Sequence, residues 1–385
     1  MTGDWISVRI AATAAFAAAL TLAGCAVAPS GGKAIALSDQ GYFFVGGAYT
    51  KTKDGQVMAG QMFVQYQVPQ NRTQPYPVVM WHGGGQTGTN FLGTPDGRPG
   101  WADYFLQRGY AVYVVDQPGR ARSGLFTEVY GATRRPNTAA MSSRFTAPEL
   151  SNQYPQARLH TQWPGKGVPG DPVFDQFFSS QVEDIADVSI IERLNREAGA
   201  VLLDKIGPAI LMTHSQSGPF GWVLANDRPQ LVKGILAVEP NGPPFHEAAM
   251  IGAPEWFKDG PLGRPWGITR GPLTYAPAAA NPADLGMTRQ ATADGPELVR
   301  CWLPGTVRAL PRLAGIPILI IVSEASYHAP YDHCTSKYLA QAGVKNEFVR
   351  LPDAGIRGNG HMMMLEKNNL DIAALLHAWA QKNIK

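Results

Sequence analysis

Charge is scarce in this chain. Only 16% of its 385 residues are Asp, Glu, Lys or Arg, the balance is +3, and no basic run is longer than the pair Arg134-Arg135. Recognition of nucleic acid needs a dense basic face, so nucleic acid is not an expected partner. Cysteine is scarcer still, limited to Cys25, Cys301 and Cys334, too few for a disulfide-built scaffold. The cluster "YHAPYDHC" holds His328, His333 and Cys334 but fits no zinc spacing, and reads instead as the polar start of a helix. No metal or organic cofactor is expected. There is no internal repeat, and the 45% hydrophobic content excludes a disordered or coiled-coil chain.

One apolar run stands apart. Arg9 precedes "IAATAAFAAALTLAGC", which is too short and too rich in Ala to read as a spanning helix and ends in small residues, the pattern of an export signal. Its ending "LAGC" resembles the lipobox of bacterial lipoproteins, which implies acylation at Cys25 after cleavage and anchoring to the bacterial envelope. An ordinary cleaved signal peptide is the simpler alternative. The segment 1–25 is therefore set aside, 26–38 reads as a linker containing "AVAPSGGK", and 39–385 as the folded domain. Export leads to an oxidising compartment, where Cys301 and Cys334 could form one disulfide or remain two buried thiols. Sequence does not supply their separation.

Glycine and proline are abundant, at 42 and 31 residues. Between the turns they mark, short apolar runs recur at "PVVMW" (77–81), "AVYVVD" (111–116), "AILMT" (209–213), "ILAVE" (235–239), "ILIIVS" (318–323) and "EFVRL" (347–351). Continuous runs of this kind suit strands buried on both faces. Helical stripes lie between them: one from Val182 through Ile185 to Ile190 and onward, another bearing Ile372, Leu375, Leu376 and Trp379. The alternation predicts an α/β fold, a mostly parallel sheet with helices on both faces. "GYFFVGGAYT" and "GQMFVQYQVP" predict a leading antiparallel pair.

Residues 117–178 and 240–312 break the alternation, with scattered Trp163, Trp256, Trp266 and Trp302. Such long insertions are expected to sit over the strand ends as a cap. Residues 117–166 carry Arg120, Arg122, Arg134, Arg135, Arg144, Arg158 and Lys166 against Glu128 and Glu149, a net +5. A solvated face is the simpler reading, and an anion-binding lid the alternative.

The chemistry concentrates in three places. "AILMTHSQSG" runs a strand into a turn at Ser215 and then a helix, the context of a nucleophile elbow, although Thr213 and Ser217 stand where G-x-S-x-G has glycine. "HGGGQTG" (82–88) follows a strand with side-chain-free residues whose amides could approach a substrate oxygen; Gly84 is one candidate oxyanion donor and Gln216 the other. "GIRGNGHMMMLEKNN" presents His361 in a glycine-rich loop before the last helix, as a general base. Two carboxylates at strand ends compete to orient it, Glu239 in "AVEPNG" and Glu324 in "IVSEASYH", with Asp332 third. Pro240 is expected to hold Glu239 in an extended backbone, which favours it as a rigid orienter.

Together these segments resemble the α/β-hydrolase superfamily across nearly all of residues 40–385. More narrowly, "HGGGQTG", "THSQSG", "AVEPNG" and "GNGHMMMLEKNN" are similar to atypical bacterial esterases whose acid is a Glu after the strand that follows the nucleophile helix. The resemblance implies Glu239 as that acid, whereas the commoner superfamily layout would give Glu324. It implies hydrolysis of a small-molecule ester through an acyl-enzyme, with no cofactor and no metal. Amidase or peptidase action would use the same residues, and a catalytically silent, lipid-anchored binding protein would keep the fold alone. Oligomeric state is not readable.

Overall fold

The computed structural model describes residues 34–385, so the signal segment, Cys25 and most of the linker lie outside the described residues. Eight strands form one sheet in the order Leu37–Thr52, Gly55–Pro69, Val112–Asp116, Val78–Trp81, Ala209–Ser215, Val232–Pro240, Ile318–Val322, Glu347–Arg350. The leading pair is an antiparallel hairpin, and its second strand pairs antiparallel with Val112–Asp116. All remaining pairings are parallel. The first strand begins at Leu37, two residues before the expected domain start.

The unbroken apolar runs have a direct cause. Side chains alternate across a strand, and here both faces are covered. Val79, Trp81, Leu211, Ile235 and Ile320 enter one core with the helix Val188–Ile206. Their neighbours Val78, Met80, Ile210, Leu236 and Leu319 enter a second core with Trp101–Gln107 and Asn369–Asn383. In the last of these helices Ile372, Leu376 and Trp379 are buried as the stripe required, while Leu375 lies at the margin.

The helix expected from about Val182 begins later, at Val188. Asp187 caps it by accepting the Ser189 N–H, and Gly207 ends it at φ +81°. Residues before the cap have another partner: Asp184-Ile185 pairs with Thr133-Arg134 in a short antiparallel ladder. Tertiary pairing overrides the apolar period there.

Both long insertions carry short elements of their own. The first contains short helical turns, including Thr138–Met141, the π-helical Ser142–Thr146 and Pro172–Ser179. The second contains the hairpin of Phe245–Gly252 with Trp256–Arg264. The two join where Arg158 pairs with Glu297 at 3.0 Å and Gln156 donates to the Glu297 carbonyl. Cys301, within this second insertion, forms a disulfide with Cys334 of the helix Asp332–Gln341, with Cα atoms 5.3 Å apart, so their thiols are not available as ligands with nearby His333. Among the described residues no helix is long and apolar enough to cross a membrane.

Candidate active site

The strand Ala209–Ser215 delivers Ser215 to the rim of the sheet and turns sharply into the helix Gly218–Asp227. Ser215 has φ +55°, a left-handed conformation that non-glycine residues adopt where surrounding structure enforces it. Close packing supplies that enforcement. A Cβ on Gly218 would lie 2.5 Å from Pro240 Cβ, and one on Gly83 would lie 3.0 Å from Ser215 Cβ. The Gly218 contact excludes any side chain, and the Gly83 contact would be tight for one. The departures from the usual pentapeptide also have reasons. Ser217 has φ −82°, needing no glycine, and its hydroxyl accepts the His214 N–H at 2.8 Å while lying 2.9 Å from the Trp81 and His214 carbonyls. Thr213 is buried against Gly221.

The loop after Val78–Trp81 is fixed from behind. Buried Arg120 donates to the Gly83 carbonyl at 2.8 Å, to Asp184 at 2.7 Å and to the Gln216 side chain at 3.1 Å. Asp184 also accepts the Gly85 N–H and pairs with Arg134 at 2.7 Å. Arg120 was expected on a solvated face or a lid; it is instead a structural pin between the glycine loop and the serine turn. The backbone N–H groups of Gly84 and Gln216 make no hydrogen bond within the described residues, so both can donate to an oxygen in the cleft.

His361 is buried, and its Nδ1 lies 2.5 Å from Glu239 Oε2. Glu239 accepts three further bonds: from the Ser323 N–H at 2.8 Å, the Ser323 hydroxyl at 2.5 Å and the Ser326 hydroxyl at 2.6 Å. The extended backbone expected before Pro240 is not found. Glu239 has φ +46°, because the chain bulges at the strand end, where Ser215 pairs with Pro240, and the carboxylate is locked by four partners. The rival acids lie elsewhere. Glu324 pairs with Arg357 at 2.7 Å and accepts the Gly358 N–H, and Asp332 pairs with His328 at 2.9 Å.

With Nδ1 turned to Glu239, the other ring nitrogen of His361, Nε2, faces Tyr327, a residue that lines the cleft. The Tyr327 hydroxyl lies 3.4 Å from Nε2, while no hydrogen bond joins Ser215 Oγ to His361 among the described residues. Burial pushes the His361 imidazolium well below the ordinary range, and neighbouring His328 and Arg144 act in the same direction. Burial pushes the Tyr327 phenol up, keeping it protonated. Glu239 is raised by burial and opposed by its hydrogen bonds.

Several contributors were not read from sequence. The His328 ring stacks on His361 with centroids 4.6 Å apart, so it is not simply a polar residue at a helix start; burial lowers it to about 4. Glu239, His328 and His361 are close enough to hold an ion, but the Glu239 oxygens are already occupied by hydrogen bonds. Glu366 accepts the Gly360 N–H at 2.9 Å, fixing the His361 loop, and meets His160 at 2.7 Å. "GNGHMMMLE" contained that acid in plain view, but nothing in its spacing distinguishes it from a surface carboxylate. A cleft of about 480 Å³ is lined by Ser215, Gln216, Gly84, Tyr327 and Asn241 and by residues of the first insertion, Arg144 among them.

Comparison with known proteins gives the family and the fold. The sequence pattern of the alpha/beta hydrolase family matches residues 78–375. A probable secreted lipase, phiG, of Fungal sp. (strain ATCC 74256) is 46% identical over 343 residues, spanning 89% of each chain. A solved structure described as a novel bacterial esterase superposes with a TM-score of 0.62 at 24% identity, covering 91% of this chain and 98% of that one, which shows a shared fold.

Proposed function

The chain belongs to the alpha/beta hydrolase family, and within it we propose a serine hydrolase that cleaves carboxylic esters through an acyl-enzyme. The observation that carries this reading is the buried Glu239–His361 pair at 2.5 Å, whose second imidazole nitrogen meets the Tyr327 hydroxyl at 3.4 Å, Tyr327 and the strained Ser215 turn both lining the cleft. The 46% identity to a probable lipase supports ester over amide.

His361 Nε2 takes the Ser215 proton as Oγ attacks the ester carbonyl. Its buried, neutral imidazole can accept that proton, and Glu239 stabilises the cation that forms. The Gly84 and Gln216 amides hold the oxyanion. For the attack, Ser215 Oγ must displace the Tyr327 hydroxyl from Nε2 by a side-chain rotation. His361 then protonates the leaving alcohol and activates water to release the acid. The residues require no cofactor for this sequence of steps.

Export and envelope anchoring through Cys25 are part of the same proposal. "LTLAGC" and the secreted relative support them. Three measurements test the reading. A fluorophosphonate probe should label the chain from Ala26 at Ser215, with turnover of a panel of esters, amides and lactones favouring esters; labelling at another residue, or preference for amides, overturns it. Membrane partition lost in Cys25→Ser tests the anchor, and an unmodified mature N-terminus elsewhere rejects it.

A further inference from the structure

We propose that the cleft selects esters that carry a carboxylate, such as half-esters of short dicarboxylic acids, and that Arg144 is the residue that binds this anion. The proposal rests on the reading of Ser215 as nucleophile and extends it to substrate class.

The cleft is unevenly charged. Arg134, Arg135, Arg144 and Arg270 line it, while its only lining carboxylates are Asp184 and Glu247. Both are engaged twice over. Asp184 holds Arg120 and Arg134, each at 2.7 Å. Glu247 holds Arg264 at 2.9 Å and Arg270 at 3.7 Å. Arg135 has Glu183 at 3.3 Å. Arg144 alone among these arginines has no ion pair or hydrogen bond within the described residues. A guanidinium offers a planar fork that matches a carboxylate in two parallel bonds.

Its location is fixed by the residue beside it. Arg144 belongs to the π-helical turn Ser142–Thr146, and such turns recur at functional sites. In that turn Phe145 is buried and stacks on the His361 ring, with centroids 5.1 Å apart, and on Tyr327 at 6.2 Å. The backbone carrying Arg144 is thereby wedged against the general base. The Arg144 guanidinium carbon stands 5.9 Å from the Tyr327 ring centroid, and that ring lies 4.7 Å from His361. Arg144 and Ser215 line the same cleft, which would bring a carboxylate at the end of a short acyl chain on Ser215 toward the cation. Asp184 and Glu247 each face two arginines, so an excess of positive charge remains to draw anions into the opening.

The test compares the 4-nitrophenyl half-ester of glutaric acid with uncharged 4-nitrophenyl valerate, on wild type, Arg144→Gln and Arg144→Lys. Wild type should favour the half-ester, and added salt should erode that preference. Arg144→Gln should reduce the ratio of the two kcat/KM values by about tenfold or more, chiefly through a higher KM for the half-ester. Arg144→Lys should recover part of the loss. Absence of a wild-type preference, or an equal fall on both esters in Arg144→Gln, overturns the assignment even though Ser215 still reacts with a fluorophosphonate. If Ser215 is not labelled and neither ester is hydrolysed, the hydrolase reading fails and this proposal falls with it.

Discussion

Glu239 Oε2 stands 2.5 Å from His361 Nδ1 with neither side chain exposed, whereas Glu324 is turned outward onto Arg357 at 2.7 Å. Glu239 lies at the end of Val232–Pro240 and Glu324 two residues past the end of the adjacent strand Ile318–Val322, yet only one meets the imidazole. Glu239→Gln should lower kcat by about 10³ to 10⁴, by analogy with loss of the orienting acid in other triads. Glu324→Gln should cost much less. Steady-state kinetics of both variants on one ester decides the matter, and a severe loss confined to Glu324→Gln would reverse the assignment.

The neighbouring serines should separate into chemistry and architecture. Ser215→Ala should abolish probe labelling and reduce turnover by about 10⁴ or more. Ser217→Ala removes the hydroxyl that ties the turn to Trp81 and His214, so it should cost about 1–3 kcal/mol of stability while labelling persists. Loss of labelling in Ser217→Ala, with Ser215→Ala still reactive, would show that the elbow is misassigned.

The pH dependence follows from the burial of His361. A base works when deprotonated, and burial holds the folded pKa well below the ordinary value. Activity should therefore persist as pH falls through about 6.5, where an exposed imidazole would charge, and be lost only at lower pH. An acid limb of kcat/KM centred at or above that value would contradict this.

His160 should titrate in the opposite sense. Burial disfavours its charge, but hydrogen bonds to Glu149 and Glu366 outweigh that cost and raise its pKa to about 9. A raised folded pKa contributes stability that is fully present below the unfolded value near 6.5 and is lost as pH rises through 9. The shift corresponds to about 3 kcal/mol. Denaturation of wild type and His160→Gln should differ most near pH 6 and converge above pH 9, and a pH-independent difference would disprove the linkage. Because Glu366 also binds the Gly360 N–H, the variant should lose activity as well.

Local physics decided much of this protein before any folding. Apolar runs too continuous for a half-exposed sheet demand cover on both faces, and that alone determines the layered α/β arrangement and the strands that build it. The glycines of "HGGGQTG" and the strand-turn-helix at Ser215 were equally visible, because close backbone approach excludes side chains whatever surrounds them. Helix onset at Val188 was not visible, since the competing partner of Asp184-Ile185 lies some fifty residues earlier at Thr133-Arg134. Nor was the backbone of Glu239: proline restricts the residue before it, but four hydrogen bonds to one buried carboxylate hold φ at +46° instead.

What the tertiary structure alone decided is which polar groups meet. Cys301 and Cys334, joined across 33 residues, could equally have stayed apart on the evidence of spacing. His328 over His361, Arg120 beneath Gly83 and Gln216, and Phe145 wedging the unpaired Arg144 into the cleft are all encounters between segments distant in the chain. Periodicity registers how a residue faces its own element, so it marks burial. It carries no information about what a buried donor or acceptor finds opposite, because that is determined by how separate loops pack together at the strand ends.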